Sequence, residues 1–189
     1  MTTSLRWTSS DLDALPYKEG TRYEIIDGEL YVSTQPHYHH QYACSEIARQ
    51  LANWSKQTSA GRVIPAPGVV FSEDNNVAPD VVWLSNERLA TALAEDGHFH
   101  DAPELIIEVL SPGFANEKRD RVIKLQLYSR RGVDEYWIID WRARSVEVYR
   151  RGAAALDLIT TLHETDTLQT PLLPGFSSLV NTLFDTVSP

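Results

Sequence analysis

The chain has 189 residues, 42% of them hydrophobic and 23% charged, which is enough to bury a full core as one domain, 1–189. Its one cysteine, Cys44, excludes an intrachain disulfide and any cysteine-rich zinc site, and no stretch reaches the roughly 20 apolar residues that span a bilayer. A formal net charge of −9 argues against indiscriminate duplex binding, which rests on neutralising phosphates with Lys and Arg.

The N-terminal residues lack the apolar core of a signal peptide, so a cytoplasmic location is expected. Thr8-Ser9-Ser10-Asp11 offers N-caps for a short helix through Leu15, stopped before Pro16. The runs 23–26 and 30–32, joined through Asp27-Gly28, predict a β-hairpin. From His39 to Gln57, Ala43, Ile47, Ala48, Leu51 and Trp54 recur at three- and four-residue steps and predict an amphipathic helix packed on a sheet.

Two β-rich runs follow, 62–71 and 79–84, the first carrying Pro65 and Pro67 and therefore suited to an edge. Residues 86–101 read as a short helix and a loop. A strand over 104–110 is followed by Ser111-Pro112-Gly113 and by a helix from Asn116 to Arg131 closed by Gly132. The runs 136–139 and 146–149 flank a turn, and a last strand near 156–162 and a short helix near 176–184 complete the order. A helical crossover implies parallel neighbours and the hairpins imply antiparallel ones. The expected fold class is therefore α/β, with a central mixed sheet flanked by helices and an N-terminal β-hairpin.

Three ionisable residues break this apolar pattern. Glu108 shares its strand face with Ile106 and Leu110 while Leu105, Ile107 and Val109 fill the other face, so both sides of the strand are oily. Asp80 opens the run 79–84 in the same manner, with Val82 and Leu84 on its face. A carboxylate so placed must meet a cation or hydrogen-bond donors, or hold its proton. Taken singly, each acid fits a structural pairing with an arginine or a backbone amide. Taken together, and followed by Lys124 on a helix, they suggest one divalent ion held by Asp80, Glu108 and the carbonyl of residue 109 or 110. Mg²⁺, with Mn²⁺ as substitute, suits such oxygen ligands.

Lys124 then has two possible roles, activating the attacking water or balancing charge in the transition state. Asp120, Lys124 and Tyr128 follow at four-residue steps on one helix face. The bland alternative is a surface Asp120–Lys124 pair worth about 0.3–0.5 kcal/mol. The charge distribution is uneven: residues 115–151 hold ten of the 17 basic residues against six acids. That segment could face phosphate, or be an ordinary solvated helix and hairpin.

The motifs Tyr23-Glu24 to Asp27-Gly28, His40, Pro79-Asp80-Val81, Pro103 to Glu108-Val109-Leu110-Ser111-Pro112, Asp120-x-x-x-Lys124-Leu125-x-Leu127-Tyr128, Gly132 to Ile138 and Pro174-Gly175-Phe176 resemble the Uma-two family of restriction-endonuclease-like proteins over residues 7–184. That family is grouped with the PD-(D/E)xK nucleases. The resemblance implies a Mg²⁺-dependent endonuclease acting on DNA, with Asp80 and Glu108 as the two motif acids. It also locates a departure, because Leu110 stands where the superfamily pattern has lysine, and it suggests that Lys124 supplies the ammonium instead. Glu24 is a further candidate acid at the metal. His40 reads either as a surface or capping histidine, or as a phosphate contact or proton carrier. The tryptophans at 7, 54, 83, 137 and 141 suit core packing better than base stacking, and leftover apolar surface would suggest a homodimer. Two other readings stay open: a non-catalytic protein-interaction module on a nuclease scaffold, and a metal-dependent hydrolase of a small phosphate ester.

Overall fold

Strand parity decides the layering of this protein, because apolar residues at both odd and even positions require cover on both sides of the sheet. The computed structural model describes residues 5–16 and 18–186. In chain order it contains α1 (Ser9–Asp13), β1 (Arg22–Ile26), β2 (Glu29–Ser33), α2 (Tyr38–Thr58), β3 (Gly61–Pro65), β4 (Val69–Ser72), β5 (Asn75–Val77), β6 (Val81–Ser85) and α3 (Asn86–Ala92). There follow β7 (Leu105–Val109), α4 (Phe114–Lys118), a π-helical segment (Arg119–Lys124), α5 (Leu125–Arg131), β8 (Glu135–Asp140), β9 (Ser145–Arg151) and β10 (Leu156–His163). The short strands β11 (Thr167–Leu168) and β12 (Ser178–Leu179) and a 3₁₀ turn over Val180–Leu183 end the fold.

The main sheet is six-stranded, in the order β10-β9-β8-β7-β6-β3. Only β7 and β8 run parallel; they are joined by the crossover of α4, the π segment and α5, while the other pairs are antiparallel. A second sheet, β2-β1-β5-β4, contains the expected hairpin. There Asp27 and Gly28 both adopt positive φ, 50° and 75°, as a tight two-residue turn between twisted strands requires. One face of the main sheet packs Val81, Trp83, Ile107, Val109, Trp137 and Ile139 against Ala43, Ile47, Leu51 and Trp54 of α2. The other packs Val82, Leu84, Ile106, Leu110 and Ile138 against Leu127 and Tyr128 of α5 and against Ile26 and Val77 of the hairpin sheet.

Two expectations need correction. The run 62–71 is not one strand, because Pro65 and Ala66, the latter at φ 48°, break it; β3 joins the main sheet and β4 the small one. The terminal helix expected over 176–184 is instead β12 and one 3₁₀ turn. The chain there is short and follows Pro174-Gly175, so its apolar residues reach the core from irregular backbone. Trp54, Trp83 and Trp137 are buried, as core packing requires. No helix among the described residues is long and apolar enough to cross a membrane.

Candidate active site

The site is assembled where β6 meets β7. Val81 pairs with Ile107 in antiparallel register, so extending that register by one residue sets Asp80 opposite Glu108. Cross-strand neighbours of this kind have their Cβ atoms about 5 Å apart on one face. Asp80 lies just before β6 rather than inside it, and its Oδ2 accepts the Val109 N–H at 2.9 Å. Its Oδ1 receives Arg22 Nη1 at 3.2 Å and lies 3.5 Å from His40 Nε2.

Glu108 receives two donors at one oxygen. Lys124 Nζ and Tyr128 Oη each donate to Glu108 Oε1 at 2.9 Å. Lys124 also stands 2.9 Å from Glu24 Oε1 and 4.0 Å from Asp120 Oδ1. Glu24 comes from β1, where its Oε1 accepts the Ala78 N–H at 3.0 Å. Asp120 accepts from Arg119 Nε at 3.2 Å. Lys124 is only 1% exposed, so the exposed-pair alternative is ruled out.

The helix that carries Lys124 is irregular for a reason tied to this cluster. Between α4 and α5, the six residues Arg119–Lys124 widen into a π turn, and Arg119, Asp120 and Lys124 are all buried while Val122 is exposed. A wider turn admits one more residue to the buried side than an α-turn would, and such bulges recur at functional sites. Gly132 at φ 87° then ends α5, its N–H donating to the Tyr128 carbonyl.

Four carboxylates, Glu24, Asp80, Glu108 and Asp120, line one cavity of about 210 Å³ together with three permanent cations, Arg22, Arg119 and Lys124. The excess of acid appears in their protonation. Burial pushes Glu108 up to about 8; Lys124 opposes this, and the neighbouring charges of Asp80, Asp120 and Glu24 add to it. Burial also raises Asp120. Asp80 and Glu24 move the other way against the pull of burial, Asp80 through His40 and the Val109 N–H, Glu24 through Lys124 and Arg119. Burial would discharge Lys124, but Glu108, Glu24 and Asp120 hold its proton more firmly than usual. The amine is therefore a fixed positive charge.

The structure thus brings Asp80, Glu108, Lys124, Glu24, His40 and Asp120 to one cavity, with Tyr128 bonded beneath Glu108. His40 is neither a surface nor a capping residue: it is 5% exposed, and the N-cap of α2 is His37, whose ring accepts the His39 N–H. Leu110 is fully buried, and its carbonyl accepts the Trp141 indole N–H. Glu135 is occupied structurally by Trp137, Thr170 and Arg150.

Arg22, Arg119 and Cys44 are the neighbours that sequence reasoning missed. Arg22 lies two residues before Glu24 on the same strand face, and Cys44 one helical turn after His40; these were the available signals. The basic segment is less free than its composition suggests. Arg121 pairs with Glu147 and Glu117, Arg142 with Asp140 and Glu117, Arg144 with Glu164, Arg130 with Asp27 and Arg150 with Glu135. Most of that charge is spent inside the molecule.

A mixed six-stranded sheet flanked by helices, with a small hairpin sheet beside it, defines a mixed α/β protein. A family profile described as "Uma2: Putative restriction endonuclease" matches residues 9–183, and the chain belongs to that family. The chain is similar in structure to one titled "putative nuclease belonging to DUF820" from Anabaena variabilis, with a TM-score of 0.73, 20% identity, and 94% of this chain and 97% of that one covered. A partial likeness to the type IIG restriction endonuclease BpuSI has a TM-score of 0.41 and 11% identity, and covers 76% of this chain and 15% of that one. No curated protein matches.

Proposed function

We propose that the chain works as one domain, in the cytoplasm, as an endonuclease that hydrolyses DNA phosphodiester bonds with Mg²⁺, or Mn²⁺ in its place. One observation supports this reading above the others: a buried ammonium bonded at 2.9 Å to Glu108, whose carboxylate faces Asp80 across adjacent strands in a solvent-reaching cavity. The donor set fits a hard cation. It is all carboxylate oxygen at Asp80 and Glu108, and burial, with the neighbouring acids adding to it, pushes Glu108 up to about 8.

Asp80 and Glu108 would hold the metal, which when bound acidifies a water and stabilises charge on the phosphoryl oxygens. The chain's own groups do the rest. Lys124 keeps its proton, so it serves as a fixed positive charge beside the reacting phosphate and not as the base. Tyr128 and Lys124 together fix the orientation of Glu108. Arg22 and Arg119, which line the cavity, would receive phosphate oxygens.

The pairing of the basic segment favours a second reading, hydrolysis of a small phosphate ester that needs no extended cationic track. Supercoiled, linear and single-stranded DNA, and bis-p-nitrophenyl phosphate, incubated with Mg²⁺, Mn²⁺ or EDTA, separate the two. Cleavage of DNA that EDTA stops and that Asp80→Ala and Glu108→Ala abolish supports the nuclease. Turnover of the small ester alone supports the second reading, and DNA cleavage unchanged in both variants rejects the site.

A further inference from the structure

We propose that His40, Cys44 and Asp80 form a binding site for a borderline-soft divalent cation of the Zn²⁺ or Co²⁺ class, beyond the hard-cation reading above and sharing only Asp80 with it. One ring nitrogen of His40, the Cys44 Sγ and one Asp80 carboxylate oxygen lie within 4.8 Å of one another. His40 and Cys44 are separated by four residues on α2, so they project from one helix face a single turn apart, the spacing by which a helix offers two ligands to one ion. Asp80 meets them from the start of β6, on a separate element, which gives the third ligand an independent anchor.

A second observation points to a missing partner. His40 is 5% exposed, lines the cavity, and its Nδ1 has no hydrogen-bond partner among the described residues. A buried ring nitrogen without a partner loses its water contacts and gains nothing in exchange, so a histidine there is either a local cost or a ligand in waiting. His40 Nε2 is only 3.5 Å from Asp80 Oδ1.

The identity of the donors sets the class of cation. Imidazole and thiolate favour zinc, cobalt and their neighbours, whereas Mg²⁺ binds oxygen almost alone. Zinc–ligand bonds of about 2.0–2.3 Å put tetrahedral donors roughly 3.3–3.8 Å apart. Three protein ligands leave a fourth position for water or for a phosphate oxygen entering from the cavity. Binding exchanges one proton for the metal: the Cys44 S–H bond breaks, an S–metal bond forms, the proton passes to solvent, and nothing is oxidised or reduced.

Cys44 is the only cysteine, which makes the test specific. EDTA-treated protein is titrated with Co²⁺ while the near-ultraviolet thiolate-to-cobalt charge-transfer band is recorded, and Mn²⁺ binding is followed separately by electron paramagnetic resonance. The expected result is a saturating band in the wild type that Cys44→Ser and His40→Asn both abolish, with Mn²⁺ uptake retained in Cys44→Ser. Wild-type protein also supplies a readout that needs no substitution: Zn²⁺ slows alkylation of Cys44 by iodoacetamide and Mg²⁺ does not. Absence of the band in the wild type, a band that persists in Cys44→Ser, or equal alkylation with and without Zn²⁺ overturns the proposal. Loss of Mn²⁺ uptake in Glu108→Ala with the cobalt band retained reports on the hard-cation site alone, because Asp80 serves both sites, so failures of the two readings are distinguishable.

Discussion

Lys124 shows how much one buried charge can be asked to do. Its ammonium joins Glu24 on one sheet to Glu108 on the other, and removing it leaves two buried acids without the cation they share. Lys124→Met keeps the stem and deletes the charge; it is expected to cost about 3 kcal/mol in urea unfolding and to lower DNA cleavage by about 100-fold or more. Lys124→Arg should restore little of the cleavage, because a planar guanidinium cannot occupy the space of a compact ammonium. Protonation provides a second handle. Glu108 has a folded-state pKa of about 8, above its ordinary value of 4.5, so the metal-free folded protein binds more protons than the unfolded chain between those limits. Its contribution therefore favours folding at the acid end and is lost as pH rises from 4.5 towards 8. A divalent cation must displace that proton, so Mn²⁺ affinity is expected to climb as pH approaches 8, with proton release visible in calorimetry across buffers of different ionisation heat. Equal affinity at pH 6 and pH 8 would contradict this account.

At the level of elements, the crossover between β7 and β8 carries the departure from regular helix. Deleting the exposed Val122 should restore an α-register through the π segment and turn Arg119 and Asp120 away from Lys124. The expected outcome is a folded protein, by far-ultraviolet circular dichroism, that no longer takes up Mn²⁺. Gly132→Ala tests the helix end alone: no atom of the described residues lies within 4 Å of the added Cβ, so the cost is that of the left-handed backbone, about 1 kcal/mol in unfolding. These two elements also mark what could be read from the residues. The period-two pattern around Glu108 and the 3.6-residue pattern of α2 made both elements and their faces legible, because β7 is buried along its full length and α2 along one face. Asp80, Glu108 and Lys124 stood out for the same reason, being charges where the pattern demands oil. The π turn was not legible, since it answers to the ion cluster and not to local propensity. Nor was the burial of His40, which depends on Asp80 meeting α2 across a gap of 40 positions. The split of the run 62–71 was announced only by its prolines, whose effect on sheet membership is a tertiary matter.

For the molecule as a whole, the decisive quantity is how little of the basic charge remains free. Five arginines between 121 and 150 are paired with acids, and the net charge is −9. Binding to duplex should therefore depend weakly on salt, with a log–log slope shallower than about −3, because few phosphates can be neutralised. A slope near −8 in filter binding would show that those pairs open on DNA. The exposed Leu158 and Ile159 of edge strand β10 are where the homodimer expected from the sequence is best sought, by sedimentation of the wild type against Leu158→Lys. The cavity draws its walls from residues as far apart as 20 and 124 along the chain, with the small sheet contributing Arg22 and Glu24 and the crossover contributing Lys124. A nascent polypeptide still short of that lysine has the acids without the amine that gathers them. On the reading proposed above, the site cannot be completed before Lys124 has left the ribosome.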